Sequence, residues 1–131
     1  MTDVSTTGDY FAALRGAEFV VLTTYRRNGT PVPTTIWFAN VGNALYLTTA
    51  IEAGKTKRIR SNPQVLIAPS DQVGKVQGPT LTGNARILAP DEYAPAIAAM
   101  LQTYGEKFTL MTDQMDATRP PGSRVYVIVT P

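Results

Sequence analysis

The chain has 131 residues, the size of one ordinary domain, and a composition of 44% hydrophobic and 17% charged residues excludes a disordered polymer. Its net charge of +2 suits an anionic small ligand as well as weak nucleic-acid binding, so charge alone selects neither. The absence of Cys and His excludes disulfides, thiolate nucleophiles, Cys-based metal sites and a Ser-His-Asp triad.

The N-terminal segment, residues 1–7, is polar and lacks the apolar stretch of a signal peptide. No apolar run reaches the roughly 18–20 residues that a membrane-spanning helix needs. We therefore expect a cytoplasmic protein with a single domain over residues 1–131 and no membrane segment. Its chemistry must come from carboxylates, Lys, Tyr, Ser, Thr or a bound cofactor.

The first predicted element is a helix of about two turns. Asp9 suits its N-cap and Gly16 suits its end, while Phe11 and Leu14 would form its buried side. Residues 18–25 follow, and they are β-branched and aromatic on both alternating sets. This pattern predicts a buried strand.

Two turns connect the first three predicted strands. An Asn-Gly pair, typical of β-hairpin turns, leads into a partner strand over residues 31–39. Pro31 and Pro33 cannot donate to a β-ladder, so the start of this strand is expected at a sheet edge. A second turn leads to a strand over residues 44–48, and together the three strands predict a β-meander.

A short basic helix is predicted over residues 54–61, directly after the third strand. Ile59 is its only large apolar residue and its predicted anchor to the body, and Pro63 ends it. Helix N-termini present free backbone N–H groups and a partial positive charge, so a strand leading into a basic helix is suited to hold a phosphate. The alternative is a solvated basic helix, as most charge runs are.

The second half of the chain predicts two more strands, a helix and a final strand. A strand over residues 64–70 precedes a long strand over residues 75–88, in which two glycines and a proline indicate bulges or a bend. A helix over residues 90–104 has apolar side chains at helical spacing. Residues 106–122 are predicted to be irregular, and residues 124–129 to form the last strand.

These elements indicate a mostly β (α+β) protein. About six strands are joined mainly by short turns, and the strands do not alternate with helices as they do in parallel α/β proteins. The pattern predicts an antiparallel barrel with short covering helices.

The order and spacing of these segments resemble the flavin and deazaflavin split β-barrel family, which has the pyridoxamine-5′-phosphate-oxidase-like fold. Within that family the chain resembles the group of F-420-dependent enzymes, and the resemblance covers nearly the whole chain. The segments that carry it are residues 19–25, 29–31, 33–38, 45–49, 54–59, 62–63 and 83–86. The resemblance implies an antiparallel split β-barrel.

The resemblance also implies a homodimer with two cofactor sites at the subunit interface. The strand-to-helix segment 48–58 would hold the phosphate of coenzyme F-420 or FMN, and the strand 34–37 would run beside the ring. Many relatives have a proline at the position of Thr35, so the ring side departs from the family pattern here. The implied cofactor-binding residues are Thr35, Trp37, Thr48, Thr49, Lys55, Lys57 and Arg58.

The basic residues of the predicted helix differ in their suitability as phosphate ligands. Lys55 and Arg58 are three positions apart and share a helical face, whereas Lys57 points elsewhere and Arg60 is assigned to solvent. An Arg fork binds phosphate bidentately, and Lys supplies a compact charge. Lys55 and Arg58 are therefore the first candidates.

Other candidates have ordinary structural alternatives. Thr48 and Thr49 are also typical strand-end residues, and Trp37 suits either the cofactor ring or the core and dimer interface. Arg26 and Arg27 at the hairpin tip are expected in solvent. Alternatively, these two arginines would bind the acidic tail of F-420 or an acidic substrate.

We expect an oxidoreductase that uses F-420 to transfer a hydride to or from a small organic substrate, with no catalytic side chain identified. The alternatives are an FMN-binding oxidase or reductase of the same fold and a non-enzymatic flavin- or deazaflavin-binding protein. Nucleic-acid binding is not expected, because the aromatic residues, 8% of the chain, lie mostly in apolar patterns away from the one basic run. No metal site is expected.

Overall fold

The computed structural model describes residues 10–131, so the predicted N-cap Asp9 lies outside the described residues. Within them, seven strands and three α-helices form the fold. The strands are β1 (Phe19–Tyr25), β2 (Pro31–Trp37), β3 (Ala39–Val41), β4 (Ala44–Ala50), β5 (Gln64–Ser70), β6 (Leu81–Ile87) and β7 (Arg124–Thr130). The helices are α1 (Gly54–Ser61), α2 (Tyr93–Tyr104) and α3 (Glu106–Ala117).

All seven strands belong to one antiparallel sheet in the order β2-β1-β5-β6-β7-β4-β3. β2 and β3 are its two edges, yet only Phe38 separates them in sequence, so the sheet must curl until its edges meet. This curled sheet confirms the predicted mostly β split barrel. Pro31 and Pro33 lie on an edge strand, as predicted, where their missing N–H groups are tolerated.

The inward side of the curled sheet holds the larger hydrophobic core. Along β1 the inward side chains of Val20 and Leu22 have 0% and 1% of their surface exposed, while the side chains between them are only partly buried. Gly83 in β6 keeps this core closely packed, because a Cβ there would lie 2.8 Å from Cγ1 of Val129. The remaining members include Leu45, Leu47, Val65, Ile67, Val127, Phe11, Leu14 and Ile59.

Helices α2 and α3 cover part of the outward side and form a second core. Tyr104, the last residue of α2, ties this helix to the corner between β2 and β3: its hydroxyl oxygen accepts a hydrogen bond from the Phe38 amide at 2.9 Å. Its ring stacks on Trp37 with centroids 4.5 Å apart. Burial raises the pKa of Tyr104 to about 12, so the phenol stays protonated and keeps its donor.

Two predictions in the first half of the chain are corrected. The N-terminal helix is a single 3₁₀ turn at Ala12–Leu14, although Phe11 and Leu14 are fully buried as predicted. The predicted strand 31–39 breaks at Phe38, because its first part pairs with β1 and its continuation pairs with β4. The predicted meander is therefore two hairpins that meet at a corner.

The predicted strand over residues 75–88 is ordered as a strand only from Leu81 to Ile87. The preceding residues form a turn in which the Asp71 carboxylate accepts hydrogen bonds from the Val73 and Lys75 amides. In the described part of the chain, a single isolated bridge, between Val76 and Ser70, continues the ladder there. Pro79 has no N–H to donate, which is consistent with the loss of pairing.

Residues 106–122 were predicted to be irregular, and this prediction is wrong, because α3 occupies Glu106–Ala117. The helix begins directly after Gly105, whose φ of 59° turns the chain between α2 and α3. Only Phe108 and Thr112 are buried in α3, so its apolar pattern is too sparse for recognition from the sequence. In residues 10–131 no helix combines the length and the apolar character needed to cross a bilayer.

Candidate functional site

Helix α1 is fixed to one end of the barrel by two buried side chains. Ile59 has 3% of its surface exposed and joins the inner core, as the sequence predicted. Thr56 is fully buried, and its hydroxyl donates to the Ala50 carbonyl oxygen at 2.8 Å. This bond ties the first turn of α1 to the end of β4. The start of the basic helix is thus held rigidly on the barrel.

Arg58 reaches across from α1 to the barrel wall. Its Nε donates a hydrogen bond of 2.6 Å to Oγ1 of Thr24, a fully buried residue at the inward side of β1. The guanidinium also lies against the first residue of its own helix, since a Cβ at Gly54 would be only 2.7 Å from Nη1 of Arg58. The arginine head is therefore folded back over the N-terminus of α1.

The cations at this end of the molecule repel one another. Burial, and then the charge of Arg58, lower the pKa of Lys55 below its ordinary value. Burial, and then the charge of Arg26, lower the pKa of Arg58. Both shifts mean that the charged forms lack compensation.

No carboxylate among residues 10–131 provides that compensation. The ion pairs between described residues lie elsewhere, at Arg86–Glu92, Lys107–Glu18 and Arg124–Asp116. An anion bound near Lys55 and Arg58 would relieve the repulsion and stabilise the charged forms. The electrostatics therefore favour an anionic ligand.

A cleft of about 360 Å³ lies between α1 and the β1–β2 turn. Helix α1 contributes one face to the lining, since positions i, i+3, i+4 and i+7 lie on the same side of a helix. The residues at these positions are Gly54, Lys57, Arg58 and Ser61. From the turn come Tyr25, Arg26 and Arg27. We call this the basic cleft.

The basic cleft changes the grouping predicted for the cations. Lys57 was expected to point away from Arg58, but both line this cleft, whereas Lys55 is not part of its lining. Arg26 and Arg27 are exposed, as expected, yet they also line the cleft beside Arg58. Arg26 and Arg27 lie far from α1 along the chain, so only the fold shows that they group with Lys57 and Arg58.

Thr48 and Thr49 lie on opposite sides of β4, as neighbouring residues of a strand must. Thr49 points inward with Leu45 and Leu47, and 6% of its surface is exposed. Thr48 points outward, and its hydroxyl donates to the Val125 carbonyl oxygen at 2.9 Å. The two hydroxyls are therefore not directed together toward one ligand.

Thr35 and Trp37 lie on the outward side of β2, opposite Val21 and Phe19 of β1. Trp37 is five residues along the strand from Val32, the partner of Thr24, so it is about 17 Å from the Arg58 end. One face of its ring is already covered by Tyr104. The structure therefore does not bring the ring-side candidates to the basic cleft within one chain.

Sequence reasoning missed a second polar network around Tyr126. This residue has 2% of its surface exposed, and its hydroxyl is hydrogen-bonded to Arg124, which in turn pairs with Asp116 of α3 at 3.0 Å. Burial raises the pKa of Tyr126, although Arg124 opposes the shift. With Tyr93, this network lines a cleft of about 480 Å³. Asp116 gave no signal because α3 itself was not recognised.

Metal chemistry has no ligand set in the part of the chain that the structure describes. No three Asp or Glu side chains of residues 10–131 come together in a way that would hold an ion. The charged side chains that line the basic cleft are instead cations.

The sequence matches the family model described as pyridoxamine 5′-phosphate oxidase over residues 6–131. A search of curated protein sequences returned no match to this chain. The family match spans all the described strands and helices, including α1 and the basic cleft.

Several solved structures are similar to this fold. HutZ, the heme storage protein of Vibrio cholerae, is 16% identical with a TM-score of 0.70, and the match covers 92% of this chain and 85% of that protein. A conserved hypothetical protein of Mycobacterium tuberculosis is 22% identical with a TM-score of 0.65, with 98% and 79% covered. An F420 reductase is 24% identical with a TM-score of 0.57, with 92% and 90% covered. At these identities the likeness shows the fold alone.

Proposed function

The chain belongs to the pyridoxamine 5′-phosphate oxidase family, and from that premise we propose that it is an oxidoreductase that binds coenzyme F-420 through its phosphate and acts on a small organic substrate. The observation that carries this proposal is the partly buried pair Lys55 and Arg58, whose pKa values are both lowered and which no carboxylate of residues 10–131 compensates.

The residues at the start of α1 fit a cofactor phosphate. Arg58 offers its two terminal nitrogens, Lys57 lines the same cleft, and Lys55 adds charge close enough to interact with Arg58. Gly54 leaves room for the guanidinium and for close approach of an oxyanion, because it has no Cβ. The N–H groups of Gly54 and Lys55 receive no side-chain cap from residues 10–131, so they remain available to the same anion, whereas those of Thr56 and Lys57 donate to the Ala53 carbonyl oxygen.

When bound, F-420 supplies a two-electron hydride transfer, and the protein supplies binding, orientation and exclusion of water. This division suits a chain without His or Cys. The contribution of Lys55, Lys57 and Arg58 is to fix one end of the cofactor. Thr35 and Trp37 are proposed to lie beside its ring, and the backbone of Thr48 and Thr49, near the end of β4 that leads to α1, is proposed to lie near the phosphate.

The preference for F-420 over FMN draws on two supports. A structural neighbour is an F420 reductase, and Arg26 and Arg27 extend the positive surface beyond Arg58 toward an acidic tail. Fluorescence titrations of the purified protein with F-420 and with FMN, run separately, test the preference. F-420 should bind more tightly, and tighter binding of FMN would replace the proposal with an FMN-dependent oxidase or reductase.

A non-enzymatic role as a flavin or deazaflavin carrier is the remaining alternative. It predicts F-420 binding without turnover. Incubation of the protein with reduced F-420 and a panel of unsaturated organic acceptors, followed by absorbance of the oxidised cofactor, separates the two roles. Acceptor-dependent oxidation supports the enzyme, and tight binding with no oxidation by any acceptor supports the carrier.

We also propose that the protein acts as a homodimer. α2 packs on β3, β4 and β7, while Val21 of β1 and Leu66 of β5 stay partly exposed on the outward side. A second copy would cover these apolar side chains and would bring another chain near the stretch of about 17 Å along β2 that separates Trp37 from the Arg58 end of the barrel. Light scattering at micromolar concentration should give twice the chain mass, and a monomer would contradict this arrangement.

The affinity for F-420 should fall as the pH rises, and the fall should begin at a lower pH than it would for a lysine with an ordinary pKa. Because burial and Arg58 lower the pKa of Lys55 from 10.5, the free protein loses this proton below pH 10.5, whereas a bound phosphate favours the charged form. Binding is then coupled to proton uptake, and affinity falls by up to about tenfold per pH unit in that window. Titrations between about pH 7 and about pH 10 measure the slope.

Lys55→Arg is the matched variant for this pH dependence. An arginine keeps its charge throughout the range, so the variant should show a flatter profile. Equal slopes in the wild type and in Lys55→Arg would mean that Lys55 is not the group that titrates.

A further inference from the structure

Two groups hold the Arg58 side chain on opposite sides. On one side Nε donates to Oγ1 of Thr24 at 2.6 Å, and Thr24 has no exposed surface. On the other side the guanidinium lies against Gly54, where a Cβ would come within 2.7 Å of Nη1. Both neighbours are small, and neither carries a charge.

This arrangement uses one edge of the guanidinium and leaves the other free. The Nε–H is satisfied by Thr24, while Nη1 and Nη2 have no acceptor among residues 10–131. Four N–H donors remain on these two nitrogens, and the Arg58 side chain lines the basic cleft, from which an anion could approach them. A planar fork presented in this way matches two oxygens of a phosphate.

We infer that Thr24 and Gly54 are positioning residues of the phosphate site. Thr24 fixes the Nε side of Arg58, and Gly54 provides the space in which the fork folds back across the start of α1. This inference rests on the proposed function, since it requires Arg58 to hold the phosphate of the cofactor. A guanidinium fixed before binding loses less side-chain entropy on binding than a free one, and affinity rises accordingly.

A purely structural role for the contact would give a different arrangement. An arginine that only braces two elements is commonly neutralised by a carboxylate, as Arg124 is by Asp116. Within residues 10–131, Arg58 instead makes its one side-chain hydrogen bond to a neutral hydroxyl, and its neighbour Arg26 adds like charge. The contact therefore directs the charge and does not neutralise it.

The first test compares Thr24→Val and Thr24→Ser. Affinity is measured for F-420 and for its deazaflavin chromophore with the phosphate-linked tail removed. Thr24→Val keeps the shape but removes the acceptor, so the Kd for F-420 should rise by about tenfold while the Kd for the chromophore stays unchanged. Thr24→Ser keeps the hydroxyl and should restore affinity for F-420.

The second test is Gly54→Ala, which separates positioning from stability. The φ of Gly54 is outside the left-handed region, and alanine is the better helix former, so the variant should be as stable as the wild type or more stable. Its Cβ would nevertheless displace the guanidinium. We expect a loss of F-420 affinity of about the same size as for Thr24→Val, again without a change for the chromophore.

A double-mutant cycle with Arg58→Ala distinguishes the failure of this inference from the failure of the proposed function. If Thr24 and Gly54 act through Arg58, neither Thr24→Val nor Gly54→Ala changes the affinity further in the Arg58→Ala background. Unchanged F-420 affinity in Arg58→Ala alone would refute the phosphate site itself. A weakened Arg58→Ala together with an unchanged Thr24→Val, or equal losses for F-420 and the chromophore, would overturn the positioning role only.

Discussion

The double variant Lys55→Ala/Arg58→Ala is expected to bind F-420 about a hundredfold or more weakly than the wild type. Each residue would contribute a charge-assisted hydrogen bond, worth roughly 1.5–3 kcal/mol, to a phosphate at the start of α1. Their removal also ends the burial of two uncompensated charges, together with the repulsion between Arg58 and Lys55 and between Arg26 and Arg58, so folding stability should be unchanged or higher. Fluorescence titration gives the affinity, and urea unfolding gives the stability.

The matched control is Arg60→Ala/Lys75→Ala, which removes the same net charge. Arg60 and Lys75 are exposed, and neither lines the basic cleft. This control should retain F-420 affinity to within about threefold, since screened surface charge acts weakly over such distances. Equal losses in the two double variants would show that only long-range charge matters. Unchanged affinity in Lys55→Ala/Arg58→Ala would show that α1 is a solvated basic helix and does not bind the phosphate.

Ile59→Ala is expected to lower the free energy of unfolding by about 2–5 kcal/mol, the usual cost of truncating a buried isoleucine. Ile59 has 3% of its surface exposed and is the large apolar side chain with which α1 enters the inner core. A cavity at this position removes the packing that holds the helix on the barrel. Urea unfolding measures the loss, and F-420 affinity should fall as the helix becomes mobile.

Ile51→Ala provides the comparison for this loss. It is the same substitution on the loop before α1, but 37% of the Ile51 surface is exposed, so the cost should stay below about 1 kcal/mol. If Ile59→Ala cost no more than Ile51→Ala, Ile59 would not be the anchor of the helix.

The sequence was most informative where local signals and packing agree. The basic helix begins and ends where predicted, at Gly54–Ser61, because a glycine precedes the charges and Pro63 limits its end. The strand Gln64–Ser70 was likewise predicted with the correct bounds. Helix α3 was missed because most of its side chains face solvent, and the break at Phe38 was missed because it depends on which strand each part pairs with.

The candidate site was predictable only in part. The cations of α1 are neighbours in sequence and were identified by their position after β4. Thr24 could not be predicted in this way, because it lies 34 residues from Arg58 and has no local feature that sets it apart from other strand threonines. Only the fold shows that its hydroxyl lies beside Nε of Arg58. The contribution of Arg26 to the basic cleft depends on the same tertiary approach.

A crystal structure of the protein with F-420 bound tests the central proposal most directly. Our account predicts a phosphate at the start of α1, with its oxygens within hydrogen-bond distance of the terminal nitrogens of Arg58, close to Nζ of Lys55, and with the Arg58–Thr24 hydrogen bond of 2.6 Å retained. A cofactor whose phosphate lies away from α1, for example in the cleft beside Tyr126 and Arg124, would contradict it.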